Sequence, residues 1–428
     1  MNSSINKKLH FLDLFAGAGG LSEGFIQAGF EPVAHVEMMT AASYTLKTRM
    51  AYHWLKKHRK LDLYKSYLEG KINRQTLYNA IPSSVLNSVI NETISGKSIK
   101  DIFAKIDDLM QEEKIDVIVG GPPCQAYSLV GRSRDKNKMR DDKRNYLYKY
   151  YAKFLKKYKP RFFVFENVTG LLSAKKDDGK KYFEMMRASF KRIGYETDYR
   201  VLSASDYGVL QDRERVILVG KLGKGSDFYP IPREWHPNVT VSEIFKDLPP
   251  IHAGEGAIKP CQVRCYNNRD QWLYASGVKD DELPVTWHQA RPNNKQDLEI
   301  YSIAVSKWNQ GQKRLIYSDL PQRLKTHHNE SSFLDRFKVV AADLPASQTV
   351  VAHVSKDGHY YIHPDIEQNR SLTPREVARL QTFPDSYFFE SESGRPSRTD
   401  AYKQIGNAVP VLLAKKIARA LKTKMKQE

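Results

Sequence analysis

The sequence predicts an α/β fold with a mostly parallel, doubly wound sheet, followed by a smaller and loop-rich domain. In the first half of the chain, short strand-like runs that are apolar on both faces alternate with longer amphipathic stretches. This pattern is typical of a parallel sheet between two layers of helices. The length of 428 residues fits two or three domains at about 150 residues each. From about residue 221 to residue 368, prolines and aromatic residues become frequent and strand-like pieces become short, which indicates the separate small domain.

Five segments of the first half have the composition of buried strands. They are Leu9–Phe15, Pro32–Val36, Ile115–Val119, Arg161–Phe165 and Glu214–Val219. A glycine-rich turn and a helix that begins near Leu21 follow the first strand, and further helices are predicted at Arg375–Phe383 and Val411–Lys424. The connection between the second and third strands, residues 51–108, is long and rich in Lys, Tyr and Leu. We interpret it as a helical insertion on the α/β core.

Composition excludes several classes of protein. Hydrophobic residues make up 41% of the chain and charged residues 27%, so the chain is not disordered throughout. The three cysteines, Cys124, Cys261 and Cys265, are too few for a disulfide framework and favour a reducing compartment. No export signal is present in Met1–His10, and no run of about 18 apolar residues predicts a membrane span. We therefore expect a cytoplasmic protein without a membrane segment.

The charge of the chain indicates a polyanionic partner. Lys and Arg number 68 against 49 Asp and Glu, which gives a formal charge of +19, and the isoelectric point is about 9.5. Such an excess bears on association with nucleic acids and not on the fold.

A glycine-rich turn, Phe15–Gly20, directly follows the first predicted strand. Its glycines allow the backbone to approach a ligand closely. Ser22 stands where a dinucleotide-binding turn needs its third glycine, so a pyrophosphate is not clearly provided for. Glu37 ends the second strand about 20 residues later and suits the ribose hydroxyls of an adenosine-bearing cofactor. A tight turn without a ligand is the alternative.

Cys124 follows the third strand in the run Gly120-Gly-Pro-Pro-Cys124. The prolines hold the backbone extended, and ligands of parallel sheets bind at the carboxyl ends of the strands. A free cysteine is often a small buried apolar residue. However, no apolar periodicity surrounds Cys124, and the Gly-Gly-Pro-Pro run has no evident purpose in core packing. We interpret Cys124 as a nucleophile.

Two charged segments are expected at the same sheet edge. Glu166 ends the fourth strand, where burying a carboxylate costs free energy unless it is partnered or protonated. A protonated carboxyl suits a proton donor, and a helix cap formed by Glu166 and Asn167 is the alternative. In a strand, Gln211, Arg213 and Arg215 would share one face. Two guanidinium groups would then converge on one site, unless the segment is a solvated charged face.

In chain order, six motifs resemble those of the DNA (cytosine-5) methyltransferases. They are Phe15-x-Gly-x-Gly, Pro122-Pro-Cys-Gln125, Glu166-Asn-Val168, Gln211-x-Arg-x-Arg215, Arg370-x-Leu-Thr-Pro-Arg-Glu376 with Arg379-Leu-Gln-x-Phe-Pro384, and Gln404-Ile-Gly-Asn-Ala-Val-Pro410. Asp142-x-Arg144-Asn145-x-Leu147 also resembles the end of that family's catalytic loop. The compact chain is similar to prokaryotic type II restriction–modification methylases.

The resemblance implies a Rossmann-like, S-adenosylmethionine-dependent methyltransferase fold in four parts. Residues 1–221 would be the catalytic and cofactor-binding domain, with the insertion at about 51–108, and residues 222–369 the target-recognition domain. Residues 370–404 would form a hinge, and residues 405–428 a C-terminal segment that returns to the catalytic domain.

The resemblance also implies the chemistry. Cys124 would attack carbon 6 of cytosine, which makes carbon 5 electron-rich enough to accept the methyl group of S-adenosylmethionine, with S-adenosylhomocysteine as the second product. Glu166 would bind ring nitrogen 3, and Arg215 would hold the carbonyl oxygen with electrostatic support from Arg213. The target base would have to be flipped out of duplex DNA.

The same resemblance assigns binding residues. The cofactor would contact Phe15, Gly17, Ala18, Gly20, Leu21, Glu37, Met38, Pro123, Leu147, Asn407 and Val409. The third cofactor motif is either Asp101 or the Asp107–Asp108 pair. DNA would contact Gln125, Ser128, Arg132, Arg134, Arg144 and Thr349. The basic loop Leu129–Arg144 would close over the flipped base, with a solvated loop as the alternative. In the small domain the candidate DNA contacts are Arg264, Arg269, Arg291, Arg314 and Arg323.

Partners and rival functions follow from these assignments. We expect a monomer that binds duplex DNA, with a cognate restriction endonuclease as a functional and not a physical partner. We expect no metal, because the spacing of Cys261 and Cys265, with His252 and His288 nearby, does not fit zinc. The alternatives are a tRNA methyltransferase of the same fold, whose members carry Phe-Thr where Tyr127-Ser128 stands, and a catalytically silent DNA-binding relative. A nicotinamide-dependent dehydrogenase is disfavoured, because Ser22 stands where its dinucleotide-binding turn needs a third glycine.

Overall fold

A seven-stranded sheet forms the centre of the computed structural model, which describes residues 8–111, 113–123, 146–263, 271–280, 282–325 and 334–427. Its strands are β1 (Leu9–Leu14), β2 (Phe30–Glu37), β3 (Val89–Asn91), β4 (Val117–Gly120), β5 (Phe162–Asn167), β6 (Tyr195–Ser203) and β7 (Glu214–Leu222). Their spatial order is β3-β2-β1-β4-β5-β7-β6. The pairs among β1 to β5 are parallel, and β7 runs antiparallel to both β5 and β6.

Helices cover both faces of this sheet. The helices are α1 (Gly20–Gln27), α2 (Thr40–Lys57), α3 (Leu61–Leu68), α4 (Arg74–Asn79), α5 (Ser83–Asn87), α6 (Ile99–Met110), α7 (Leu147–Tyr158), α8 (Tyr182–Arg192), α9 (Trp272–Ala275), α10 (Lys295–Gly311), α11 (Pro374–Leu380), α12 (Arg398–Asn407) and α13 (Val411–Gln427). Apolar residues of α6, α7 and α8 form one core with one face of the sheet. Residues of α1 and α13 form another core with the opposite face. The predicted doubly wound, mostly parallel sheet is therefore confirmed.

All five predicted strands are present, and two strands were not predicted. β3 has only three residues, which is too short for a periodic signal. β6 carries mostly polar and partly exposed side chains, because it lies at the sheet edge next to the antiparallel β7. Apolar patterning finds strands that are buried on both faces, and neither of these two qualifies.

The segment 51–108 differs from the insertion that we expected. It begins inside α2, β3 pairs with β2, and α6 contributes to the core beneath β2. These elements belong to the sheet and its layers. Only α3, α4 and α5 lie outside them. Of these, α3 and α4 contact the chain after α11, where Tyr64 donates a hydrogen bond to the carbonyl oxygen of Ser386 at 3.0 Å and Arg74 donates one to that of Ser391 at 2.7 Å.

The described part of residues 222–369 has little regular structure, as predicted. Its elements include a two-stranded ribbon of β8 (Gly256–Ala257) and β9 (His288–Gln289) and the helices α9 and α10. A separate core joins α10 to the segment that follows it, with Tyr301, Leu320 and Phe337 among its buried members. The proposed domain boundaries stay predictions. Among the described residues, no helix is long and apolar enough to cross a bilayer.

Three arginines of the motif-rich segment after residue 369 are fully buried. Arg370 binds Glu376 through two hydrogen bonds of 2.7 and 2.8 Å. Arg379 pairs with Asp247 at 2.5 Å and with Asp385 at 2.6 Å. A carboxylate–guanidinium pair inside a protein needs such complete partnering, since each ion loses its hydration. These residues therefore fasten the start of the small domain to α11.

We predict that Arg379→Met lowers the free energy of unfolding by about 3–5 kcal/mol, because the buried carboxylates of Asp247 and Asp385 each lose one of two cationic partners and keep only Lys279 and Arg375. Equilibrium urea denaturation measures the change. Arg323→Met is the matched control, since Arg323 pairs with Glu299 at the exposed surface and such pairs contribute little. A stability of Arg379→Met equal to that of the control would contradict the prediction.

Candidate active site

A cavity that is open to solvent lies at the carboxyl ends of β1 and β4. The lining includes eight residues that the sequence nominated: Phe15, Gly17, Ala18, Gly20, Leu21, Glu166, Asn407 and Val409. Residues nearly 400 positions apart thus meet at one sheet edge, as the motif order predicted.

The turn after β1 adopts an unusual backbone. Phe15 has φ +59° and Gly17 has φ +56°. A bulky residue rarely adopts this left-handed region, and such conformations cluster at functional sites. A Cβ on Gly17 would meet no atom within 4 Å, whereas a Cβ on Gly20 would lie 2.3 Å from the carbonyl oxygen of Val409. Gly17 therefore faces open space, and Gly20 allows the C-terminal segment to approach.

Glu37 joins the turn to the end of β2. Its two carboxylate oxygens accept hydrogen bonds from the backbone N–H groups of Gly17 and Met39, each at 2.7 Å. Burial raises the pKa of Glu37, and these two N–H groups oppose that rise. Met38 beside it is 55% exposed. Met38, Pro123 and Glu37 itself are not among the residues that line the described cavity.

Asp13 is a site residue that the sequence did not reveal. It lies in β1, is completely buried and lines the cavity. Its Oδ2 accepts a hydrogen bond from the Ser22 hydroxyl, and its Oδ1 has no partner in the described part of the chain. Burial raises the pKa of Asp13 to about 7. A lone carboxyl within an apolar strand gives no periodic signal, so only the position of Ser22 at the helix start could have suggested this contact.

Glu166 and Arg215 form an ion pair at the same edge. Arg215 Nε lies 2.7 Å from Glu166 Oε1, and both side chains are mostly buried. Because β7 is antiparallel to β5, its first residues lie beside the last residues of β5, with Val216 opposite Asn167. Arg215 also lines a second, open cavity together with Asp212 and Thr349. The pair therefore stands between the two cavities.

The structure corrects the expectation for Arg213. Strand β7 begins at Glu214, so Gln211 and Arg213 precede it and do not share a strand face with Arg215. Arg213 is 1% exposed and donates hydrogen bonds to the carbonyl oxygens of Val350 and Gly406. The two guanidinium groups have different partners, and the Arg213 side chain instead links the small domain to α12.

The interpretation of Gly120 and Gly121 is also wrong. A Cβ on Gly120, whose φ is +142°, would lie 2.0 Å from the carbonyl oxygen of Leu14. A Cβ on Gly121 would lie 2.4 Å from the carbonyl oxygen of Glu166. Both glycines therefore serve the close packing of neighbouring strands. Asn167 does not cap a helix through its side chain; its amide donates a hydrogen bond to the carbonyl oxygen of Pro122 at 3.1 Å and so holds the chain that leads to Cys124.

Gln381 connects three of the motifs. Its side-chain amide donates hydrogen bonds to the carbonyl oxygens of Ile405 at 2.9 Å and Ala408 at 3.2 Å. Its carbonyl oxygen accepts a hydrogen bond from the Gln211 amide at 3.2 Å. Gln211 in turn accepts one from the backbone N–H of Val350 at 2.7 Å. These buried amides hold the C-terminal wall of the cavity in place.

Some nominated residues lie away from the cavity, and others are outside the described part of the chain. Cys124, Gln125, Ser128, Arg132, Arg134 and Arg144 are outside the described residues. Leu147 begins α7 and is half-buried, and the Thr349 hydroxyl donates a hydrogen bond to the carbonyl oxygen of Asp212. Asp101 is exposed, and Asp107 pairs with Lys157 at 2.7 Å. Among the described residues, no cluster of three or more His, Cys, Asp or Glu could hold a metal ion.

The family model for C-5 cytosine-specific DNA methylases matches residues 9–77 and 88–423. The chain belongs to this family. The methylase is 42% identical over 445 residues to the type II methyltransferase M.Bpa9945I of Bacillus paralicheniformis. The alignment covers 96% of this chain and 98% of the relative. It is 30% identical to the type II methyltransferase M.DdeI of Desulfomicrobium norvegicum, and this alignment covers 96% of this chain and 88% of the relative.

Solved structures share the fold of the methylase. A protein of E. coli described as a DNA modification methyltransferase encoded within a prophage has a TM-score of 0.64 at 21% identity, with 98% of this chain and 100% of the other covered. The methyltransferase EhMeth of Entamoeba histolytica has a TM-score of 0.53 at 13% identity, with 98% and 99% covered. The predicted family, the Rossmann-like fold and DNA (cytosine-5) methyltransferase activity are confirmed.

We predict that Asp13→Asn changes how the stability of the methylase depends on pH. Because the folded state raises the pKa of Asp13 to about 7 from 3.8, it binds the proton more tightly than the unfolded state does. The stability from this group is complete below pH 4 and is lost as the pH rises towards 7. The free energy of unfolding of Asp13→Asn relative to wild type should therefore increase by about 1–3 kcal/mol from pH 5 to pH 8.

Urea denaturation of the cofactor-free protein at both pH values measures this change. Asp107→Asn is the control, since Asp107 lies at the surface with Lys157. A difference between Asp13→Asn and wild type that stays constant with pH would refute the assignment.

Proposed function

We propose that the methylase modifies one specific sequence in duplex DNA as the modification enzyme of a type II restriction–modification system, through a covalent bond between Cys124 and the target cytosine. The observation that carries the proposal is the Glu166–Arg215 pair, which stands between the cavity at the ends of β1 and β4 and a second open cavity. The chain that leads to Cys124 is held at this same edge by Asn167. The names of the relatives support the restriction–modification role.

The cavity suits S-adenosylmethionine, which supplies an activated methyl group on a positively charged sulfonium. Asp13 lines the cavity, and the open space beside Gly17 leaves room for the ligand. We assign the main contacts to Phe15, Gly17, Ala18, Gly20, Leu21, Asn407 and Val409. Glu37 would bind the ribose, and Met38, Pro123 and Leu147 would complete the site. No metal has a role in this proposal.

Cys124, Glu166 and Arg215 would divide the reaction between them. The Cys124 thiolate adds to carbon 6 of cytosine, so electron density rises at carbon 5, which then accepts the methyl group. Glu166 shares a proton with ring nitrogen 3 and so takes up the charge that develops in the ring. Arg215 holds the carbonyl oxygen. Water then takes the carbon 5 proton, the double bond between carbons 5 and 6 re-forms, and the Cys124 sulfur leaves as a thiolate, which releases the methylated base.

Arg213 acts through the backbone and does not touch the base. Its bonds to Val350 and Gly406 fix the small domain next to Arg215, so we assign it a positioning role.

Duplex DNA would lie over the cavity that Arg215, Asp212 and Thr349 line. Because a base inside a duplex cannot reach Cys124, the target cytosine is flipped towards Glu166. Gln125, Ser128, Arg132, Arg134 and Arg144 are the proposed contacts to DNA from the loop, and Thr349 is the proposed contact from the small domain. The enzyme would work as a monomer on the DNA of a prokaryotic cytoplasm, with a cognate endonuclease that cuts the same unmodified sequence.

We predict that Cys124→Ala abolishes methyl transfer while the protein still binds its target sequence, because only the covalent step needs the thiol. Bisulfite sequencing of plasmid DNA from cells that express the wild-type chain identifies the target. Transfer of a tritiated methyl group to a duplex with this target then measures activity. With 5-fluorocytosine at the target position, the wild-type protein should form an adduct that survives denaturing electrophoresis, and Cys124→Ala should form none.

Turnover by Cys124→Ala would overturn the covalent mechanism. Transfer to tRNA but not to duplex DNA would overturn the choice of substrate.

We predict that Glu166→Gln slows methyl transfer by about a hundredfold to ten-thousandfold, the usual contribution of a positioned acid or base. Adduct formation with 5-fluorocytosine should slow by a similar factor, since Glu166 assists the attack by Cys124. Glu184→Gln, at an exposed carboxyl on α8, is the control and should react like wild type. An unchanged rate of adduct formation in Glu166→Gln would remove Glu166 from the attack step.

A further inference from the structure

A large open groove lies between α13, the edge strand β6 and residues 227–235, the segment that follows β7. We name it the α13 groove. Its lining includes five cations, Arg200, Arg233, Lys416, Arg419 and Lys424. None of the residues that line it borders either cavity of the active site. The proposed mechanism therefore leaves these cations without a use.

Helix α13 presents one continuous polar face to this groove. Lys416 and Arg419 are three residues apart, and Thr423 and Lys424 follow Arg419 and Ala420 at intervals of four, so these side chains lie along one side of the helix. The opposite side, which includes Ile417 and Leu421, is buried in the core with α1. At 1.5 Å per residue, the cations from Lys416 to Lys424 extend over about 12 Å.

The positive charge of the groove is not neutralised by ion pairs. In the parts of the chain that the structure describes, none of the five cations forms an ion pair with a carboxylate. Burial and the nearby Arg419 and Arg233 guanidinium groups lower the pKa of Lys416, so these three groups lie close enough to repel one another. The carboxylates of the groove, Asp198, Asp227 and Glu234, lie on the other two walls, and the α13 wall carries only positive charge.

Aromatic rings lie beside two of the cations. Lys416 Nζ is 5.3 Å from the centre of the Trp235 ring, and the Arg200 guanidinium is 5.3 Å from the centre of the Tyr229 ring. Such contacts hold flexible cationic side chains against a wall of the groove. The rings thus align cations that form no ion pair among the described residues.

We propose that the α13 groove binds the phosphodiester backbone of duplex DNA outside the target site. A row of unpaired cations favours a polyanion, because each neutralised phosphate releases a condensed counterion. Duplex DNA is the polyanion that a DNA methylase meets whenever it works. The groove is a second, sequence-independent attachment point that keeps the enzyme on long DNA. The proposal rests on membership of the DNA methylase family and not on the roles proposed for Cys124 or Glu166.

The test compares a short duplex with a long one. A duplex of about 14 base pairs that carries the target occupies the cleft and offers little further backbone. A fragment of about 200 base pairs with the same single target exceeds the persistence length of DNA and can bend to meet the groove. Affinity for both is measured by fluorescence anisotropy between about 50 and 200 mM salt, with Cys124→Ala as the background so that no turnover occurs.

Lys416→Glu/Arg419→Glu should weaken binding of the long fragment about tenfold or more and reduce its salt dependence by about two ions, since two phosphate contacts are lost. Binding of the short duplex, and its methylation by the protein with Cys124 intact, should stay unchanged. Lys57→Glu/Lys65→Glu is the matched control, because it makes the same change in charge at two exposed cations on α2 and α3 that do not line the groove. It should leave both affinities unchanged.

Wild-type affinity of Lys416→Glu/Arg419→Glu for the long fragment would overturn the proposal. An equal loss of affinity for both duplexes would also overturn it, because the cations would then act in the cleft. Neither of these results depends on whether Cys124 is the nucleophile.

Discussion

The antiparallel direction of one strand, β7, brings Arg215 to Glu166 at the edge of the sheet. Parallel strands deliver their last residues to the carboxyl edge of the sheet, and β5 brings Glu166 there in this way. Since β7 runs in the opposite direction, it delivers its first residues to the same edge, and Arg215 therefore meets Glu166. A carboxylate at the end of an apolar strand would otherwise carry a large desolvation cost. The antiparallel strand supplies the countercharge without a long loop.

Much of the fold could be read from the sequence because buried parallel strands are apolar on both faces, and their ends identify the ligand edge. Phe15, Gly17 and Glu166 were placed correctly on this ground. The same reasoning failed where a sequence pattern did not coincide with the bounds of a strand. Arg213 alternates with Arg215 along the chain, yet the strand begins only at Glu214. Asp13 gave no signal because one polar residue does not alter the pattern of a strand that is otherwise buried.

The motifs that identify the family serve two different purposes. Some surround the cavities, whereas Arg370 and Arg379 are buried far from solvent with their carboxylate partners. A buried ion pair need not add stability over an apolar contact of the same size, and here Arg379 joins α11 to Asp247. Gln381 extends this framework to residues 405–408. A sequence signature of an enzyme family therefore records how its parts are assembled as well as what they catalyse.

The wall of the cavity at the ends of β1 and β4 is built from segments that lie far apart along the chain. Tyr387 donates a hydrogen bond to the carbonyl oxygen of Ala18, and Gly20 touches the backbone of Val409. During synthesis the N-terminal turn leaves the ribosome long before these partners exist. A nascent chain therefore completes this wall only after residues 404–409 have been synthesised. A polypeptide that ended between β7 and α12 would contain all seven strands of the sheet but would lack this part of the cavity wall.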